Sequence, residues 1–306
     1  MGRIDKALSH TSDGPTEIVT VPGAPSADVF ESPWSFDGGP SGPAPASTPG
    51  ATPTVPGARG PMALFRGFNE SLNGRIVSTP AAPAVLAERF RRLAASLHHA
   101  QLVDGLRTVM VTSADPGDGK TLTSANLALT LSESYRRQVL LIDADLRRPS
   151  LHDVFNVPNV SGLNDGLKAP SDARLNVIKI SDTLTLLPAG RPDPDPMSSL
   201  TSTRMAEILQ EASQRFEWII VDTAPLGLLA DASLLARMVD KSLLVIRAGQ
   251  TPHASVERAV NALGREHIIG VVLNAVEATA GEGAKYYYAR DSETSDSPAV
   301  LPTREG

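Results

Sequence analysis

Eight residues, Ala114-Asp115-Pro116-Gly117-Asp118-Gly119-Lys120-Thr121, stand between an apolar run, Thr108-Val109-Met110-Val111, and a helical pattern from Leu122 to about Ser134. A buried strand that breaks into a glycine-rich loop and resumes as a helix leaves a chain few folds to choose from. The N–H groups of such a loop converge on an anion, and the positive end of the following helix favours the same charge. Gly117 and Gly119 let the main chain approach a phosphate closely. Lys120 is placed to neutralise β- and γ-phosphate charge, and the Thr121 hydroxyl can ligate Mg²⁺. Ala114 occupies the place where the pattern usually begins with glycine. A short permissive pattern also arises by chance, so its surroundings decide whether it has meaning.

Those surroundings supply carboxylates. Val139-Leu140-Leu141-Ile142 is an apolar run ending on Asp143, with Asp145 two residues on, and Trp218-Ile219-Ile220-Val221 ends on Asp222. Strands of a parallel sheet, buried on both faces, read as uninterrupted apolar runs, and ligands bind beyond their carboxyl ends. Acids from two further strand ends are thus expected to meet the loop, which implies a metal-bound nucleoside triphosphate.

The net charge of −6 over 306 residues gives no electrostatic footprint for nucleic acid. Without cysteine there is neither a disulfide frame nor a thiolate metal site, a composition that suits a reducing cytoplasm. Asp222, Asp231 and Arg237 interrupt the most apolar region, so no stretch is long enough to span a bilayer. The start, Met1-Gly2-Arg3-Ile4-Asp5-Lys6, lacks the apolar centre of a signal peptide, and Lys6 does not suit myristoylation. The six histidines are scattered and read as surface or packing residues.

Ile4, Ala7 and Leu8 fall at helical spacing, so residues 1–10 are either a short docking helix or a frayed terminus. Residues 11–82 are dominated by Pro, Gly, Ala, Ser and Thr and are expected to form a disordered linker, unable to bury enough apolar area to offset ordering entropy. The folded domain is expected over 83–276. Its first helix follows Pro83, with Leu86, Phe90, Leu93 and Leu97 on one face. Strands are expected near 107–113, 138–143, 175–188, 217–222, 241–247 and 267–274, and helices at 121–135, 198–215, 228–239 and 252–264, with less regular chain before 175. Such alternation implies right-handed βαβ units: an α/β fold with a mainly parallel sheet and helices on both faces.

Residues 277–306 form a polar tail holding Tyr286, Tyr287 and Tyr288, three of only four tyrosines in the chain. The row reads either as an aromatic strand edge or as exposed phosphoacceptors. Its flanks lack alternation and favour the second reading. The loop, Asp143-Ala144-Asp145-Leu146-Arg147, Asp222 and the tyrosine tail together resemble the bacterial tyrosine kinases of capsule and exopolysaccharide synthesis, which are P-loop proteins of the MinD/ParA-like class. Leu187-Pro188-Ala189-Gly190, Val221-Asp222-Thr223-Ala224-Pro225, Arg247-Ala248-Gly249 and Gly270-Val271-Val272-Leu273-Asn274 agree, so the similarity covers roughly 84–290.

The resemblance implies ATP and Mg²⁺ as cofactors. Nucleotide would be bound through Asp115, Pro116, Gly117, Asp118, Gly119, Lys120, Thr121, Leu122, Arg147 and Asn274, and the metal through Thr121, Asp145 and Asp222. Lys120, Asp143 and Asp145 would be the catalytic residues. Asp143 is the implied proton acceptor for the attacking tyrosine, with the roles of Asp143 and Asp145 open to exchange. It further implies autophosphorylation of the tail in trans, since the 11 residues from Ala275 to Tyr286 reach about 36–40 Å when extended. Glu88 and Arg91 match two members of the family's Glu-x-x-Arg-x-x-Arg subunit contact, and Ala94 replaces the third, which weakens the case for a ring. The implied partners are other copies of the chain in a homo-oligomer, a membrane polysaccharide co-polymerase (chain-length determinant) as activator, and a cognate tyrosine phosphatase. The implied location is cytoplasmic, at the inner face of the plasma membrane through that partner. The competing reading is a MinD/ParA-type ATPase switch, which carries a signature lysine where Asp115 stands. A binding protein with a dead site is the third reading, disfavoured by the presence of Lys120, Thr121 and all three aspartates.

Overall fold

The computed structural model describes residues 65–170, 173–227 and 231–276. The docking-helix expectation, most of the linker, and the tail with Tyr286, Tyr287 and Tyr288 lie outside them. In chain order the elements are α1 (Ala84–Asp104), β1 (Thr108–Ser113), α2 (Lys120–Glu133), β2 (Val139–Asp143), α3 (Leu151–Val154), α4 (Leu163–Lys168), β3 (Ile178–Lys179) and β4 (Leu184–Leu187). Then come α5 (Met197–Leu200), α6 (Thr203–Ser213), β5 (Trp218–Asp222), α7 (Asp231–Leu235), β6 (Lys241–Arg247), α8 (His253–Leu263) and β7 (Ile268–Asn274).

The strands form one sheet in the order β3-β4-β2-β5-β1-β6-β7. Every pairing is parallel except β3 with β4. β1, β2 and β5 are buried along their whole length, as their uninterrupted apolar runs require. Successive residues of β1 feed two separate cores. Met110 packs with the layer that holds Met205, Ile208 and Leu235, whereas Val109 and Val111 pack with the layer that holds Leu97, Leu127 and Leu131. Helices therefore cover both faces. The chain leaves β1 for β2 by crossing β5, and leaves β5 for β6 by crossing β1, so the carboxyl ends of β1, β2 and β5 open onto a common crevice.

The structure corrects the linker boundary. Residues 65–82, expected to be disordered, pack onto the fold: Ile76 is wholly buried, and Phe65 and Phe68 form an aromatic cluster with Phe155, with ring centroids 5.1 to 6.1 Å apart. Averaged composition hid them, because a few apolar residues spaced through Gly- and Ser-rich chain bury enough area to hold an irregular segment in place. Smaller differences follow from local chemistry. The expected strand 175–188 is a pair of short antiparallel strands. The expected helix 198–215 breaks at Thr201 and Ser202, where the Ser202 hydroxyl accepts from the Met205 amide and starts a new helix.

Candidate active site

β1 runs straight into the phosphate loop, which then opens α2. Gly117 and Gly119 have φ of 87° and 96°, a region where a side chain is strained. Gly119 is the residue that caps α2, and no side chain caps that helix end, so its positive terminus faces the loop. A Cβ on Gly119 would stand 2.0 Å from Asn274 Nδ2. Asn274, at the end of β7, donates through that nitrogen to the Asp118 carbonyl at 2.8 Å. Asp118 is almost wholly buried: its carboxylate accepts from the Asp115 amide at 2.9 Å and from the Thr251 hydroxyl at 2.7 Å. Asp115, Gly117, Asp118, Gly119 and Asn274 thus form one braced loop, and Arg247 Nη1 reaches the Gly117 carbonyl at 3.5 Å.

The three aspartates come together at the loop's inner end. Register pairs Asp143 of β2 with Asp222 of β5, so their side chains leave neighbouring strands on the same side. Lys120 Nζ lies 2.9 Å from Asp145 Oδ2 and 3.9 Å from Asp222 Oδ2. The Thr121 hydroxyl donates to Asp222 Oδ2 at 2.7 Å and sits 3.0 Å from the Ser150 hydroxyl. Ser124 donates to Asp222 Oδ1 at 3.0 Å. Asp143 accepts three backbone N–H groups, from Asp145, Ser150 and Leu151.

Burial dominates the electrostatics. Desolvation first, and then the charge of Asp222, push the Asp143 pKa up to about 8, against the lowering effect of its backbone donors. Desolvation likewise raises Asp222, although Lys120 and the Thr121 hydroxyl oppose it. For Lys120, burial works against the charge, yet Asp222, Asp145 and Asp143 outweigh it and raise its pKa. With Asp143 pushed up towards its protonated form, Asp145 and Asp222 still outnumber the single ammonium of Lys120, an imbalance that a divalent cation would offset.

Thr121, Asp145 and Asp222 offer only hard oxygen donors, the set that Mg²⁺ takes. Among the described residues no cluster of three or more His, Asp or Glu forms a ready cage. Mg²⁺ draws most of its shell from phosphate and water and needs only one or two protein oxygens. On the loop's other side lies a cavity of about 390 Å³, bordered by Gly117, Gly119, Leu122, Arg247 and Asn274. Of the remaining residues expected here, Pro116 is exposed at the loop tip, and Arg147 donates to the Pro194 carbonyl in the chain after β4. Glu88 pairs with Arg91 at 3.7 Å and with Arg92 at 3.3 Å on the exposed face of α1, whereas Ala94 is wholly buried. Ser124, Ser150 and Thr251 went unseen in the sequence. Only Ser124 had a signal there, lying one helical turn beyond Lys120.

The model of the CobQ/CobB/MinD/ParA nucleotide binding domain matches residues 109–301. Over 234 residues the chain is 31% identical to tyrosine-protein kinase YwqD of Bacillus subtilis, a match covering 76% of this chain and 98% of that relative. It is 35% identical over 214 residues to tyrosine-protein kinase etk of Escherichia coli, covering 69% of this chain but 29% of the longer relative. Among solved structures, the kinase domain of the Escherichia coli tyrosine kinase ETK aligns with a TM-score of 0.59 at 33% identity, over 65% of this chain and 78% of that one.

Proposed function

Because this chain belongs to the bacterial tyrosine-protein kinases built on the CobQ/CobB/MinD/ParA nucleotide-binding domain, we propose that it transfers the γ-phosphoryl group of Mg-ATP to Tyr286, Tyr287 and Tyr288 of a neighbouring copy. The observation that carries this reading is the meeting of Lys120, Thr121, Asp145 and Asp222 at the inner end of a phosphate loop. Phosphoryl transfer asks a protein mainly to position groups and offset charge. The loop amides hold the phosphates, and Lys120 swings from Asp145 to the β- and γ-phosphates as they arrive. Thr121, Asp145 and Asp222 would hold Mg²⁺, which would supply charge neutralisation on the transferred group. The tyrosine hydroxyl, with a pKa near 10, needs a carboxylate within hydrogen-bond reach. Asp143 takes that role, or Asp145 in exchange for it.

The family resemblance supports the wider setting: a homo-oligomer meeting through the α1 face of Glu88 and Arg91, activation by a membrane polysaccharide co-polymerase at the inner face of the plasma membrane, reversal by a tyrosine phosphatase, and control of exopolysaccharide or capsule synthesis. Among the described residues no helix is long and apolar enough to cross a membrane. Full modification of the tail adds roughly −5 charges and would loosen the oligomer by repulsion. The decisive experiment incubates the protein with Mg-ATP and the partner's cytoplasmic peptide, then maps phosphotyrosine by mass spectrometry. Phosphate on residues 286–288 is expected, and none in Lys120→Met or in the triple Tyr→Phe tail. A wild-type tail that stays unmodified refutes the proposal.

A further inference from the structure

The cavity beside the loop is only half built by the nucleotide-binding elements. Gly117, Gly119 and Leu122 line one side, and the other side is made by Gly74 and Arg75 of the segment before α1, with Arg89 and Phe90 of α1. That segment is seated at three points. Phe65 meets Phe155 edge-on and Phe68 meets it at a tilt, Ile76 is wholly buried, and Asn126 of α2 clamps the chain on either side of Ile76. Asn126 accepts from the Val77 amide and donates to the Arg75 carbonyl, each at 2.8 Å. Its side chain is nearly inaccessible, and both ends of the amide are used. It leaves the same helix that begins at Lys120 and Thr121, so the clamp ties the segment to the phosphate-binding end of α2.

A triphosphate laid along this loop has two ends. Its γ end meets Lys120 and the three aspartates, none of which borders the cavity, so the nucleoside end is left to the cavity side. Phe90 and Leu122 offer that end apolar surface, and Arg75, Arg89 and Arg247 line the cavity without an acidic residue among the described lining. We infer that residues 65–83 are a strap which, clamped by Asn126, completes the nucleoside end of the site, and that Asn126 is a positioning residue for ATP acting through the strap. This rests on the nucleotide reading above and goes further, because it makes ATP affinity depend on a segment that precedes the phosphate-binding domain.

The test separates the nucleoside from the phosphates. The full chain is titrated calorimetrically, in Mg²⁺, with ATP and with inorganic tripolyphosphate. Asn126→Ala loses two hydrogen bonds and is expected to weaken ATP about tenfold, while tripolyphosphate affinity stays within about twofold. In turnover its KM for ATP should rise with kcat nearly constant. Arg75 is exposed, so Arg75→Ala leaves the fold intact and should weaken ATP about threefold. ATP affinity equal to that of wild type in both variants, or equal losses for ATP and tripolyphosphate, overturns the inference. Should Asn126→Ala fail to fold, Arg75→Ala decides, together with hydrogen exchange: ATP must slow exchange of amides 74–86 more than tripolyphosphate does, and identical protection overturns the inference. Wild-type protein that binds neither ligand would instead sink the nucleotide reading itself.

Discussion

Replacing Gly119 by alanine perturbs the loop in two separable ways. At φ of 96° an L-residue is strained by about 1–2 kcal/mol. The new methyl would also stand 2.0 Å from Asn274 Nδ2, which must withdraw and give up its 2.8 Å bond to the Asp118 carbonyl. Losing that bond costs about 1 kcal/mol more. The sum, roughly 2–3 kcal/mol, corresponds to a rise of about 30- to 150-fold in the ATP dissociation constant if the loop relaxes away from its binding geometry. Calorimetric titration of a double-variant cycle apportions the two parts. In an Asn274→Ala background the contact and its bond are already gone, so Gly119→Ala should cost only the backbone part, about 1–2 kcal/mol. Identical costs in both backgrounds would show that Asn274 does not brace the loop as described.

Asp143 has its pKa raised from 3.8 to about 8 in the folded chain, so the folded state holds a proton that the unfolded state releases. Its contribution to stability is complete below about pH 4 and lost as pH rises through about 8. Denaturation of the nucleotide-free protein across that window should show a steeper decline for wild type than for Asp143→Asn, and parallel slopes would contradict the assignment. Lys120→Met removes the cation 2.9 Å from Asp145 and should cut tyrosine phosphorylation by about 100-fold or more in a radiolabel assay. Ser124→Ala leaves one oxygen of the fully buried Asp222 without its 3.0 Å donor. A loss of about 1–3 kcal/mol is expected, read as a lower urea midpoint at constant slope. Thr121→Ala should raise the Mg²⁺ concentration needed for half-maximal activity, and an unchanged requirement would remove Thr121 from the metal's ligands.

Much of the site was legible before any fold was known, because its parts are local. Runs such as 139–142 and 218–221 can be buried only as central strands, so their terminal aspartates had to face the crevice. The less legible parts depend on small numbers of residues. Ile76 sits in chain whose average composition resembles linker. The break between α5 and α6 turns on one capping hydroxyl, Ser202. Nothing in the order of residues marked Thr251 as the partner of Asp118, since a threonine after a strand has many uses.

The sequence by itself determined that a phosphate loop would join a buried strand to a helix, and that acids would end the neighbouring strands, because hydrophobic period and glycine placement act over a few residues. Tertiary structure alone decided which distant groups complete the loop. Asn274 lies 156 positions from the Asp118 carbonyl it holds, and Asn126 lies 51 positions from Arg75. Such pairs exist only after the sheet order is set and the helices have closed over it, when a buried amide must find a partner for each of its polar atoms.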